Sequence, residues 1–202
     1  GSSRCSAFLA VRAGDASGAV SFVNTGGLMA LSMVRLRKSE GVNRPAIACL
    51  WPSRNPQGFN VMLDCGADVR AEAEDLLQYA LMGASYARNG LNLERPRVGL
   101  LNVGTEEHKG RAELKIAAEL IARVAPAADF EFVGFVEGGD LPSDRVDVVV
   151  TDGFTGNVAL KAGEGAADLI RDRVFGGVFL GLIGTVVIAH GSAVATGVAA
   201  AI

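Results

Sequence analysis

The sequence lacks an excess of positive charge. It has 19 lysines and arginines against 22 aspartates and glutamates, which gives a net charge of -3 and a pI near 5.4. Nucleic-acid binding requires a concentrated positive field. We therefore expect no nucleic-acid partner.

Cysteine is scarce as well. Cys5, Cys49 and Cys65 are odd in number, and their spacing fits neither a disulfide framework nor a zinc site. Nothing after Gly1, Ser2 and Ser3 has the order of a secretory signal. We expect reduced, buried thiols in a cytoplasmic protein.

Several motifs of cofactor and hydrolase chemistry are missing. No G-x-G-x-x-G follows a predicted strand, because GEGAAD at 163–168 lies in a helical pattern, and neither a Walker lysine motif nor G-x-S-x-G occurs. Asp168 and Asp172 lie one helical turn apart, but the neighbouring arginines indicate a charge-balanced surface. We expect neither a metal nor a cofactor.

Charge is absent from Phe175 to Ile202, a stretch long enough to span a bilayer. Six glycines and His190 interrupt this stretch, and GTVVIAHGSA has the form of a buried strand, a turn and the start of a helix. The pattern favours a buried strand over a membrane span.

Hydrophobic residues make up 50% of the chain, and its 26 glycines recur between strand-like and helix-like segments. The repeated order of strand, glycine loop and helix predicts α/β architecture. Continuous apolar runs such as VGLLNV and VDVVV indicate strands that helices cover on both faces of a largely parallel sheet. We predict a single domain with strands at Ala19–Val23, Ala46–Leu50, Val61–Leu63, Val98–Val103, Phe130–Val136, Val146–Val150 and Thr185–Ala189, and helices at Leu28–Leu36, Ala71–Arg88, Arg111–Val124, Asn157–Arg173 and about Ser192–Ala201.

Two loops with free polar groups follow predicted strands in the first half of the chain. In SFVNTGGLMALS, Asn24 or Thr25 could cap a helix while Gly26 leaves backbone amides open to an anion. In LLNVGTEEHKGRAEL, Lys109 lies beside a glycine turn, where its ammonium could hold a phosphate. The alternative for the first loop is an ordinary capped turn. The alternative for the second loop is a solvated, charged turn.

Two similar loops follow strands in the second half. In VVVTDGFTGN, Thr155, Gly156 and Asn157 offer donors to a small anion, whereas Asp152 is negative and more suited to orienting the loop or a lysine. In VVIAHGSA, His190 ends a strand, although a lone histidine is commonly part of a core. Because a parallel sheet brings its strand ends to one side, we expect all four loops at one edge, around a phosphate.

The segments NTGGLMALS, NVGTEEHKG, TDGFTGN, and FLGL followed by HG resemble, in this order, the bacterial phosphate acyltransferase family often called PlsX. The resemblance covers nearly the whole chain. It implies a three-layer α/β/α fold similar to isocitrate and isopropylmalate dehydrogenases and related to phosphotransacetylases. It also implies transfer of a fatty acyl group from acyl-carrier protein to inorganic phosphate, which forms acyl phosphate for phospholipid synthesis, by a homodimer peripherally associated with the membrane.

The resemblance assigns roles to these loops. Catalysis falls to Lys109, Asn157 and His190, and phosphate binding to Asn24, Thr25, Gly26, Thr155 and Gly156. Glu106, Glu107 and Asp152 would orient Lys109 and the loops. An acidic carrier protein is expected to meet a basic patch, for which Arg35, Arg37, Lys38 and Arg44 are candidates, with a solvated helix end as the alternative.

The chain also departs from the family pattern. Family members begin earlier, with a strand and a glycine-rich loop, and carry a helical excursion near 174–178 that this sequence lacks.

The acyl chain would need an apolar groove, which FGGVFLGLIG or the Leu28–Leu36 helix could line, although core packing explains these residues equally well. Two other functions stay open: a metal- and NAD-dependent dehydrogenase of the related fold, and a non-catalytic module that binds acyl-carrier protein.

Overall fold

The computed structural model describes residues 3–21, 25–106, 109–170, 176–180 and 185–189, and their side chains within 6–21, 26–106 and 109–168. The predicted helix near 192–201 therefore lies outside the described residues. The helices are α1 (Ser3–Ala13), α2 (Thr25–Leu36), α3 (Ala73–Leu91), α4 (Ala112–Val124) and α5 (Gly153–Ile170), and the strands are β1 (Gly18–Ser21), β2 (Ala46–Pro52), β3 (Phe59–Leu63), β4 (Arg97–Leu101), β5 (Glu131–Val136), β6 (Val148–Val150), β7 (Gly176–Leu180) and β8 (Thr185–Ala189).

The described strands form one sheet in the order β1-β8-β7-β2-β3-β6-β4-β5. Strands β3, β6, β4 and β5 run parallel to one another, and β1 runs parallel to β8. The pairings of β2 with β3, β2 with β7 and β7 with β8 are antiparallel. Consequently β1 and β8 run opposite to the parallel block of β3, β6, β4 and β5.

Helices cover both faces of this sheet. Alternate strand residues point to opposite faces, so that Ala46 and Ala48 of β2 join one core while Ile47 and Cys49 join the other. The first core packs beneath α3 and α4, and the second beneath α1, α2 and α5. These three layers confirm the predicted α/β/α class.

Close packing sets α3 directly onto the centre of the sheet. A Cβ atom at Gly83 would lie 2.5 Å from a side-chain methyl of Val148 and 2.8 Å from one of Leu63, so a larger residue would have to displace these buried side chains. Val148, Val149 and Val150 are themselves fully buried, as a short strand covered on both faces requires. The absence of a side chain at Gly83 therefore lets α3 lie close to the strands that contain Val148 and Leu63.

Two elements were not predicted from the sequence. Helix α1 has no acidic residue in its first turn to signal its start, and the glycines of β7 conceal its strand character. β7 and β8 lie within the uncharged stretch 175–202, whereas the other residues of that stretch lie outside those described. Among the described residues, no helix combines the length and the apolar character needed to cross a membrane.

Arg97 ties the amino-terminal ends of β4 and β6 together. Its guanidinium donates 3.0 Å and 2.8 Å hydrogen bonds to the two carboxylate oxygens of Asp147, and it also reaches the carbonyl of Asp144 at 2.6 Å. The hydrogen bond to Asp147 is the main cause that raises the pKa of Arg97. This cluster lies at the edge of the sheet opposite the carboxyl ends of the same strands.

We predict that Arg97→Ala lowers the free energy of unfolding by about 2 kcal/mol, because it leaves the buried Asp147 carboxylate without its partner. Urea unfolding followed by circular dichroism measures this change. Arg97→Lys should lose part of the same stability, since one ammonium cannot make both parallel hydrogen bonds. An unchanged denaturation midpoint in Arg97→Ala would contradict the assignment.

Candidate phosphate-binding site

Three adjacent strands of the parallel block end side by side. β6 pairs with β3 on one side and with β4 on the other, and Val150 lies opposite both Leu63 and Leu100. The segments that follow are named here the β3 loop (residues 64–72), the β6 loop (residues 151–152) and the β4 loop (residues 102–111). Ligands of such sheets bind beyond the carboxyl ends of the strands, where these loops meet.

Asp152 joins the β6 loop to the β4 loop. Its carboxylate is buried, with 2% of the side chain exposed, and forms an ion pair with the guanidinium of Arg111. The same carboxylate accepts a 2.8 Å hydrogen bond from the backbone N–H of Thr155 and a 3.0 Å bond from the Thr155 hydroxyl. Asp152 therefore bonds to the first turn of α5 and to a cation, but this cation is Arg111, which sequence reasoning missed, and not a lysine.

The capping by Asp152 also explains where α5 begins. The helix starts at Gly153 and not at the predicted Asn157, because Asp152 accepts the N–H of Thr155 as an N-cap residue does. Asn157 thus lies in the second turn, is exposed, and donates a long 3.4 Å hydrogen bond to the Cys65 carbonyl. Gly156 packs so closely on the Asp64 carbonyl that a Cβ atom would collide with it.

The β3 loop was not predicted to belong to the site. Asp64 is fully buried, and its carboxylate accepts backbone N–H groups of Ile47 at 2.9 Å and Asp68 at 2.6 Å, with further bonds from Gly66 and Ala67. Burial raises the pKa of Asp64, and these hydrogen bonds oppose the rise. The segment LDCGADVR, a strand followed by an acid and a glycine, was the signal that could have revealed this loop.

Asp68 connects the β3 loop to α5. Its carbonyl accepts the N–H of Gly153 at 2.8 Å, and its carboxylate accepts hydrogen bonds from Arg44 at 2.8 Å and the Tyr79 hydroxyl at 3.3 Å. Burial, together with the surrounding carboxylates, raises the pKa of Tyr79, so the phenol stays a donor. The loop is thereby held against the first turn of the helix.

The carrier-protein patch predicted at Arg35, Arg37, Lys38 and Arg44 is only partly a free cationic surface. Arg44 forms the ion pair with Asp68, and the ammonium of Lys38 donates to the Asn43 carbonyl at 2.8 Å. Arg37 is exposed and has a left-handed backbone conformation just after α2, while Arg35 is half-buried. The patch as a whole stays a prediction.

Lys109 projects from the β4 loop. Its ammonium lies 2.9 Å from a carboxylate oxygen of Glu106, and this contact raises the pKa of Lys109 and lowers that of Glu106. A side chain at Gly104 would clash with both, and the amide of Asn102 donates to the Lys109 carbonyl at 3.2 Å. The tight loop therefore presents the exposed ammonium of Lys109 just after the end of β4. Glu107 and His108 lie outside the described residues.

The two remaining predicted loops follow β1 and β8, which lie side by side but run opposite to β4 and β6. The argument from parallel strand ends therefore does not extend to these two loops, because it assumed that every strand ran the same way. Their place at the site stays a prediction. Asn24 and His190 lie outside the described residues, the side chain of Thr25 is not described, and Gly26 lies in the first turn of α2.

The arrangement changes how an anion would be held. The sequence suggested open backbone amides, but the N–H groups of Gly153 and Thr155 are already bound by Asp68 and Asp152. Among the described residues of these loops and the start of α5, the exposed side chains that can donate to an anion include those of Lys109, Arg111 and Asn157. Cationic side chains, more than a backbone cradle, are suited here to an oxyanion.

Solved structures share this architecture. The EutD phosphotransacetylase from Staphylococcus aureus superposes with a TM-score of 0.70 at 17% identity, over 93% of this chain and 61% of its own. A putative 4-hydroxythreonine-4-phosphate dehydrogenase from Salmonella typhimurium gives a TM-score of 0.55 at 13% identity, over 94% and 61% of the two chains. Fold and strand-end loops together define a three-layer α/β protein of the phosphotransacetylase and dehydrogenase-like fold.

Sequence similarity is more specific. The profile of the family described as "Fatty acid synthesis protein" matches residues 1–174, and the chain belongs to this family. The phosphate acyltransferase of Jannaschia sp. (strain CCS1) is 72% identical over 226 residues, which cover 96% of this chain and 62% of the relative. That of Paracoccus denitrificans (strain Pd 1222) is 65% identical over 235 residues, which cover 100% and 64%.

These matches confirm the resemblance to phosphate acyltransferases. The chain spans less than two thirds of the length of the curated relatives it matches. The alignment with the Paracoccus protein is longer than the 202 residues of this chain, so that relative contains internal positions with no counterpart here. The specific excursion expected near 174–178 stays a prediction.

Arg111→Ala tests the link between the two loops. We expect the free energy of unfolding to fall by about 1 kcal/mol, because the buried Asp152 loses its partner while the exposure of Arg111 limits the loss. In an Asp152→Asn background the same substitution should cost less, since no buried charge is left unpaired. Urea unfolding of the four proteins in this double-mutant cycle measures the coupling; equal costs in both backgrounds would disprove it.

Asp64 predicts a pH dependence of stability. Because its folded pKa is raised, the folded chain keeps a proton that the unfolded chain has lost, and the free energy of unfolding falls as the pH rises from about 4 to the raised pKa. Asp64→Asn should flatten this part of the pH profile, whereas Asp15→Asn, at an exposed carboxylate, should not. Urea unfolding at a series of pH values gives the profiles, and identical slopes for wild type and Asp64→Asn would rule the effect out.

Proposed function

We propose that this chain catalyses the transfer of a fatty acyl group from acyl-carrier protein to inorganic phosphate, forming acyl phosphate for phospholipid synthesis. The observation that carries the proposal is the position of Lys109 and Arg111 in the β4 loop, with Arg111 bonded to the β6 loop from which α5 begins. The names of the relatives, phosphate acyltransferase, support the same reaction class.

The chemistry requires little beyond positioned charge. An oxygen of hydrogen phosphate attacks the thioester carbonyl and forms a C–O bond, and the C–S bond breaks. The proton that the phosphate loses ends on the departing sulfur, which leaves as the carrier thiol. Phosphate is already ionised at pH 7 and a thiol of pKa about 8.5 is a fair leaving group, so no strong base is needed. The main barrier is the repulsion between the phosphate and the developing oxyanion.

The described residues suit that requirement. We assign phosphate to Lys109 and the exposed side of Arg111. Asn157 and Thr155 stay candidate phosphate contacts, the Thr155 hydroxyl being bonded to the same Asp152 carboxylate as Arg111. Glu106 would release Lys109 to the phosphate, because their mutual contact is exposed and therefore weak. Asn24, Thr25, Gly26 and Gly156 stay candidate phosphate contacts, and His190 stays a candidate donor to the departing sulfur.

The partners follow from the proposed reaction. Acyl-carrier protein is the expected donor, and the exposed Arg37 and Lys38 are the cations that could meet its acidic surface. We propose a cytoplasmic homodimer that associates peripherally with the membrane, where acyl phosphate would be consumed. No metal or cofactor enters the proposed reaction.

Lys109→Ala should lower phosphate-dependent turnover about 100-fold to 1,000-fold, because it removes one positioned donor to the developing charge. Turnover is measured by incubating acyl-carrier protein thioester with phosphate and trapping acyl phosphate with hydroxylamine. The matched control is Lys161→Ala, since Lys161 has the same 44% side-chain exposure and a similar ion pair, with Glu164 of α5.

Unchanged turnover in Lys109→Ala, or an equal loss in Lys161→Ala, would refute the assignment of Lys109. A folded wild-type chain that forms no hydroxamate would refute the enzymatic function itself. Binding of acyl-carrier protein without product would then support the alternative of a non-catalytic binding module.

A further inference from the structure

Several exposed apolar side chains belong to the loops and the helix of the candidate phosphate site. Among the described residues, nine large hydrophobic side chains are exposed, and four of them belong to the site loops or the first turns of α5. These four are Val69 at 60%, Val103 at 80%, Phe154 at 61% and Val158 at 54% exposure. Four others lie on α1, β1 and α2, and single exposed hydrophobics are normal on protein surfaces, so it is the position of the first four beside a cationic site that matters here.

Three of the four, named here the strip, lie on or next to the first two turns of α5. Phe154 and Val158 are four residues apart in α5 and therefore lie on the same face of the helix. Val69 follows Asp68, whose carbonyl is bonded to the N–H of Gly153 at 2.8 Å, so Val69 adjoins the first turn of α5. The strip begins two residues from Asp152, the residue that anchors Arg111.

This juxtaposition matches one kind of substrate. An acyl thioester has a carbonyl that must lie beside the phosphate. Its apolar chain extends away from that carbonyl and is stabilised when it is buried away from water. Lys109 and Arg111 would hold the charged end, and the strip offers an apolar surface directly adjacent. Resting on the proposed function, this assigns the acyl chain to α5 and the β3 loop, and not to the Leu28–Leu36 helix or FGGVFLGLIG considered from the sequence.

We propose that Phe154 is a specificity-determining residue that binds the acyl chain of the donor, with Val158 and Val69 extending the contact. Its ring is the largest apolar surface of the strip, and each methylene buried against it strengthens binding. A long chain covers the ring and continues to Val158, whereas a short chain ends near the carbonyl. Phe154 therefore makes the enzyme prefer long acyl chains.

The test compares chain lengths in the full chain. Acyl phosphate formation is measured with palmitoyl and butyryl thioesters of acyl-carrier protein at saturating phosphate. Phe154→Ala should raise the KM for the palmitoyl donor about tenfold, as expected for the loss of one apolar contact surface, and change the KM for the butyryl donor less than about twofold. Phe154→Leu should retain most of the preference, because it keeps an apolar side chain.

Ile116→Ala is the matched control, since Ile116 is 52% exposed on α4 and should leave both KM values unchanged. Equal changes for the two donors would indicate that Phe154 packs against protein and would overturn the proposal, as would an unchanged palmitoyl KM. These outcomes differ from failure of the proposed function, in which the wild type forms no acyl phosphate from either donor and the inference falls with it.

Discussion

The buried charge of Asp152 is the constraint on which the candidate site depends. A carboxylate this far from water is tolerated only with partners, and the chain supplies them from two places: Arg111 before α4 and Thr155 within α5. Satisfying one charge therefore fixes the geometry between two loops that are about 40 residues apart in sequence. Asp64 and Asp68 act likewise for the third loop, so the site is organised by acids although its proposed ligand is an anion.

The groups that hold the site together differ from the groups that are left to bind a ligand. The Asp68 carbonyl accepts the N–H of Gly153 and the Asp152 carboxylate accepts that of Thr155, so much of the positive end of α5 is satisfied within the protein. Side-chain cations and an apolar strip are left facing outward. A substrate with a charged end and an apolar end would meet both surfaces at once, which neither a simple anion site nor an apolar pocket provides.

Local patterns predicted most of the fold. The bounds of β8 and the carboxyl end of β3 match the prediction, since continuous apolar runs ended by polar residues or glycines identify buried strands. Strand direction could not be predicted in this way, because it depends on pairing between distant segments, and the assumption that β1 and β8 run parallel to β4 and β6 was wrong for that reason. Arg111 was missed because its role rests on an ion pair with a residue 41 positions away, and a charged residue before a helix has no distinctive sequence pattern.

The position of β7 and β8 has a consequence for the order of folding. They lie between β1 and β2 in the sheet, although they come last among the described strands, and β1 pairs with β8. During synthesis from the amino terminus, the parallel block can assemble as soon as β6 is available, but β1 must wait for a strand made more than 160 residues later. Among the described strands, β1 is thus paired only after β8 has been made, and its backbone hydrogen-bonding groups lack this partner until then.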